Sequence, residues 1–117
     1  MDPKKAIKLF NDQKIRVQWE DEAEKWYFSV VDVVGVLAES ENPRRYWSDL
    51  KRKLRKEGSQ LHEKIVQLKM LATDGKSRLT DVADTEQLLR IIQSIPSPNA
   101  EPFKVWLARV GYERITL

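Results

Sequence analysis

The sequence predicts a small single α+β domain, residues 1–117, made of antiparallel hairpins and about four helices. Three observations carry that prediction. Two stretches of alternating apolar residues each double back across a polar break, and the segments around them show helical apolar spacing. The order is hairpin, two helices, hairpin, two helices, which favours an antiparallel sheet over a doubly wound parallel one. A length of 117 residues with 41% hydrophobic content suits one domain with a modest core.

Residues 14–19, KIRVQW, place Ile15, Val17 and Trp19 on one face of a strand, and 25–30, KWYFSV, pair back across EDEAE. Lys8 to Phe10 offers a third strand. The acidic break lacks the spaced oxygens and turn glycine of a calcium loop. Ser29 and Asp32 form a start signal for a helix over 30–39, whose valines and Gly35 give it poor intrinsic propensity, so burial must hold it. Asn42 and Pro43 open a second helix, and Gly58 is its stop. Residues 65–70 put Val66, Leu68 and Met70 on one strand face, and 78–82 return after a Thr73-Asp74-Gly75-Lys76 turn, whose Asp-Gly is a short hairpin signal. Asp84 or Thr85 then caps a helix carrying Leu88, Ile91, Ile92 and Ile95, which Pro96 ends. A last helix over 100–110 aligns Phe103, Trp106, Leu107 and Val110, with Asn99 or Ser97 before it and Gly111 after it.

Several function classes are poorly served by these residues. Cysteine is absent, which removes disulfides, thiolate zinc sites and cysteine nucleophiles. His62 is the single histidine and lies in a polar stretch without a serine partner, so it reads as solvated or capping. Gly58 and Gly75 sit at separate turns and build no phosphate-cradling loop. Asp81 and Asp84, near a helix start, read as caps rather than as an acid–base pair. No enzyme activity, metal or cofactor is therefore expected. No run of apolar residues is long enough to span a membrane or to act as a signal peptide, so a cytoplasmic location is expected.

Charge distribution is more informative than the net charge of +3. Residues 43–56 hold seven bases and one acid, a local +6, which leaves the rest at −3. Wound at about 100° per residue, this segment gathers Tyr46, Trp47, Leu50 and Leu54 in a narrow arc. Arg44, Arg45, Lys51, Arg52, Lys53, Arg55 and Lys56 fill a broad arc opposite. A merely solvated face would mix acids with bases to gain i,i+4 pairs. A membrane-surface helix would need a wider apolar stripe. Phosphate is the better match for such a face, and four of the seven bases are arginines suited to bidentate contacts. Lys76 and Arg78, at the tip and return of the second hairpin, could extend it. The four tryptophans are expected in the core, with Trp47 the one closest to serving as a stacking platform.

The chain also resembles the Bro-N domain of phage and viral Bro proteins, from about residue 7 to 115. The family pattern runs W-F-x-x-x-D-V, then N-P, then a hairpin leading into a helix, then a closing helix with K and W. Trp26, Phe28, Asp32, Val33, Asn42, Pro43, Phe103, Lys104 and Trp106 occupy those places. A Gly-Tyr pair often precedes the Asn-Pro in the family, whereas AESE stands here, which implies a different lead into the basic helix. The resemblance implies a non-catalytic α+β DNA-binding module of prophage antirepressors, usually N-terminal to another domain. Residues 1–117 are therefore expected to be the N-terminal piece of a longer protein.

Double-stranded DNA is the expected partner. Phosphate contacts are assigned to Lys51, Arg52, Lys53, Arg55 and Lys56, and base-edge contacts to Arg44 and Arg45 at the helix start. Five neutralised phosphates give a log–log salt slope near −4.5, at about −0.9 per phosphate. The alternative partner is an acidic protein, such as a repressor that this module neutralises. A homodimer paired through a hairpin edge is also compatible with the pattern.

Overall fold

The computed structural model describes residues 4–58 and 60–111, and the side chains of Leu61 and His62 lie outside that description, with the reading of His62. The first strand is longer than the sequence suggested. β1 (Lys5–Phe10) pairs with β2 (Gln13–Glu20) along its whole length, from Lys5↔Gln18 to Phe10↔Gln13. Asn11 and Asp12 join them, both at positive φ (48° and 64°), the two-residue geometry that matches strand twist. Ile7 and Leu9 remain on the open face, which is why the alternation of β1 did not point to a core. β3 (Lys25–Ser29) returns from β2 with Trp19↔Trp26 and Val17↔Phe28 in register.

The second hairpin is β4 (Val66–Leu71) and β5 (Ser77–Ala83). It does not stand apart. β5 pairs antiparallel with β3 at Phe28↔Ala83 and Ser29↔Val82, giving one five-stranded sheet in the order β1-β2-β3-β5-β4. Its turn uses three residues rather than the two that Asp-Gly suggested. Gly75 N–H donates to the Ala72 carbonyl at 3.0 Å, Ala72 N–H donates to the Lys76 carbonyl at 2.8 Å, and Gly75 takes φ 82°. Of the face assigned to this strand, Met70 is buried, Leu68 half-buried and Val66 exposed.

Capping fixes the helices where expected. Ser29 Oγ accepts the Asp32 N–H at the start of α1 (Val30–Ala38), at 3.4 Å. Asn42 Oδ1 accepts the Arg45 N–H, at 3.2 Å, ahead of α2 (Pro43–Lys56). A single-turn helix, α3 (Leu61–Lys64), was not foreseen. Asp84, rather than Thr85, caps α4 (Thr85–Gln93), accepting Gln87 N–H at 3.0 Å, while its other oxygen takes Lys25 Nζ at 2.8 Å. That hydrogen bond raises the Lys25 pKa, against a smaller opposing effect of burial. α5 (Ala100–Gly111) closes the fold, and Ile95 is buried just beyond α4.

The core lies between the apolar side of the sheet, with Ile15, Val17 and Phe28, and helix residues Val33, Leu37, Leu88, Ile91, Phe103 and Leu107. Phe10 meets Phe103 and Trp106 edge-on, with centroids 5.1 and 5.9 Å apart. Trp106 Nε1 donates to the Leu9 carbonyl at 2.8 Å, tying α5 to β1. At Gly35 an added Cβ would lie 3.2 Å from Pro43 Cγ, so the glycine lets the first turn of α2 press on α1. The architecture is α+β, as the sequence predicted.

Candidate nucleic-acid interface

α2 turns Trp47 and Leu50 inward, with Tyr46 and Leu54 half-buried beside them. Arg44, Arg45, Arg52, Lys53, Arg55 and Lys56 are exposed. Lys51 differs. Its Nζ lies 2.9 Å from Asp81 Oδ2 on β5, and Trp47 Nε1 donates to the same oxygen at 2.8 Å. Gln67 Nε2, on β4, donates to Asp81 Oδ1 at 3.0 Å. The ammonium of Lys51 also sits 5.6 Å from the centre of the Trp47 ring.

Asp81 is therefore no cap. It joins α2 to the β4–β5 hairpin through three donors from two elements. Burial of this carboxyl works against its ionisation, but the hydrogen bonds from Lys51, Trp47 and Gln67 outweigh it and hold the pKa below the usual carboxylate value. Trp47 is 3% exposed, so it offers no ring for a base to stack on, and Trp19, Trp26 and Trp106 are buried too.

The electrostatics of the outer face are one-sided. Arg52 reaches Asp49 at 3.7 Å, but both side chains are well exposed, and such pairs contribute little. Arg44, Arg45, Lys53, Arg55 and Lys56 have no ion-pair partner among the described residues. Bases in the last turn suit the negative end of the helix dipole. The first turn carries no acid and two arginines at the positive end, where cations are disfavoured.

At the tip of the hairpin, Lys76 and Arg78 are exposed. Arg78 pairs with Asp74, and that bond, then the Lys76 N–H, lowers the Asp74 pKa. The charge of Arg44 adds to the same effect, and Arg44 lines one cleft with Ala72 and Thr73 of the hairpin turn. Lys76 has no ion-pair partner among the described residues, while the charge of Arg78 is met by Asp74. Among the described residues, no group of three or more metal-ligating side chains comes together, and no helix is long and apolar enough to cross a membrane.

Residues 14–112, most of the chain, match the family described as BRO family, N-terminal domain, and the chain belongs to that family. Comparison with curated proteins and with solved structures gave no match. Membership suggests a domain of the DNA-binding type found in phage Bro and antirepressor proteins.

Proposed function

We propose that this domain binds double-stranded DNA through the outer face of α2, as the non-catalytic DNA-contacting part of a phage antirepressor-like regulator. The observation that carries the reading is the set of exposed cations on a helix anchored from behind by Asp81, all but Arg52 without an ion-pair partner among the described residues. Bases crowded on one face repel one another, and phosphates relieve that repulsion while releasing condensed counterions. Arg52, Lys53, Arg55 and Lys56 take phosphates, and Lys76 stands at the rim. Arg44 and Arg45, in the first turn, reach base edges when that end enters the major groove. Lys51 leaves the contact set, because its ammonium is engaged by Asp81.

Four phosphates at about −0.9 each give a log–log salt slope near −3.6. A gel-shift titration of the domain against random duplex DNA, repeated across salt concentrations, tests it. Binding indifferent to salt, or unchanged in the double variant Arg52→Glu/Arg55→Glu, would sink the reading.

A further inference from the structure

A cleft of about 960 Å³ lies next to the start of α2, and of its lining the DNA reading uses only Arg44. Its walls are the open face of β1 and β2, the C-terminal end of β4, and the turn leading into α2. Arg16 lies in its depth with its donors engaged. Asp32 takes Nε and Nη2 at 2.8 and 3.0 Å, Ser29 Oγ lies 3.2 Å from Nη2, and the Leu71 carbonyl takes Nη1 at 2.9 Å.

With Arg16 and Asp32 cancelling each other, the remaining rim charge is Lys5, Lys14, Arg44 and Lys69 against Glu41. None of the four cations has an ion-pair partner among the described residues. Between them stand Ile7 and Leu71, on different walls of the cleft and 55% and 64% exposed. The cleft therefore asks for negative charge and for aliphatic surface together.

Two features select the occupant. Among the described residues no aromatic ring lines the cleft, so bases would find no stacking platform. A lysine stands two residues from an aliphatic side chain on each wall instead, Lys5 and Ile7 on β1, Lys69 and Leu71 on β4. An extended peptide presents successive side chains to opposite sides, so a segment with paired acidic and paired aliphatic residues offers one of each to both walls and answers both demands. We propose that this cleft docks an acidic, aliphatic segment of a partner protein, at a site that meets the DNA-contacting face of α2 only at Arg44.

The test is an amide-resolved NMR titration of the 117-residue chain with a short peptide repeating Glu-Glu-Leu-Leu. The same peptide with lysine for glutamate, and an oligothymidylate, serve as controls. Saturable shifts confined to residues 5–7, 14–18, 31–32, 41–44 and 69–73 are expected from the acidic peptide only. Lys5→Glu/Lys69→Glu should weaken that binding about tenfold or more and leave duplex binding in a gel shift unchanged. Arg52→Glu/Arg55→Glu should do the reverse, so this proposal and the DNA reading fail independently. No saturation up to about 5 mM peptide, or an equal response to the lysine peptide, overturns the proposal. So does displacement of the peptide from these amides by the oligonucleotide, which would assign the cleft to nucleic acid.

Discussion

α1 and α2 touch where Pro43 packs on Gly35, yet the two helices are held in opposite ways. α1 buries Val30, Val33, Val34, Val36 and Leu37 out of nine residues, and its valines and glycine would not form a stable helix in water. α2 buries only Trp47 and Leu50 out of fourteen. It is held by the Asn42 cap, by that narrow stripe, and by one carboxylate on a strand far away in sequence. α1 spends its surface on the core, and α2 keeps most of its surface for display. Changes to α1 should therefore act on stability, and changes to the outside of α2 on binding.

Leu37→Ala should have the largest effect on stability. Leu37 is fully enclosed, and large-to-small changes at such sites cost about 2–5 kcal/mol. Urea unfolding reads it directly, and a loss well under this range would mean that α1 is less of a scaffold than its burial indicates. Next comes Asp81→Leu, which strips acceptors from the Trp47 indole, Gln67 and Lys51. Leaving such donors unsatisfied costs about 1–3 kcal/mol.

Asp81 also sets a pH dependence. Its folded pKa is depressed, so the unfolded chain binds more protons there as pH falls past about 3.9. Its contribution is fully present above that value and is lost as the pH drops through the lowered folded pKa. Denaturation profiles of Asp81→Leu should lack that part of the acid limb.

Glu39→Gly should be a smaller effect, of opposite sign. Glu39 ends α1 in the left-handed region at φ 52°, a conformation that costs a non-glycine residue about 1 kcal/mol. Against the relief stands one long contact, Asn99 Nδ2 to Glu39 Oε1 at 3.4 Å. Thermal melting should shift upward. Arg52→Glu/Arg55→Glu should move stability least, within about 0.5 kcal/mol as for open surface positions, while abolishing the duplex shift. Equal losses of stability and binding in that variant would erase the distinction between the two helices.

The elements themselves were largely legible, because each rests on local chemistry. Ser29, Asn42 and Asp84 each cap the helix they announced, and the alternation of β2 buries Ile15, Val17 and Trp19, the residues it nominated. The family-marking residues prove to be scaffold. Trp26, Phe28, Val33, Phe103 and Trp106 are buried, Pro43 opens α2, and Asp32 grips Arg16 rather than merely favouring its own helix end. Lys104, by contrast, pairs with Glu101 near the surface. The resemblance thus locates the fold and is silent about the charged face of α2.

What escaped the sequence depends on partners distant along the chain. An alternating pattern names the face of a strand but not its neighbour, so the joining of β5 to β3 could not be read. The anchoring of Lys51 by Asp81 spans thirty residues. One clue was present: aspartate is disfavoured inside strands, and RLTDV places it there. An acid in that setting calls for a specific donor.

The seam between β3 and β5 has a further consequence. It consists of two residue pairs, whereas β1–β2 and β4–β5 share six each. Backbone amides on either side of so short a seam need not exchange with solvent as one cooperative unit. In native-state hydrogen exchange, β4 and the outer part of β5 should open at lower free energy than β2 and β3. Seating DNA on α2 should slow that opening through Asp81, turning the hairpin into a distant readout of occupancy.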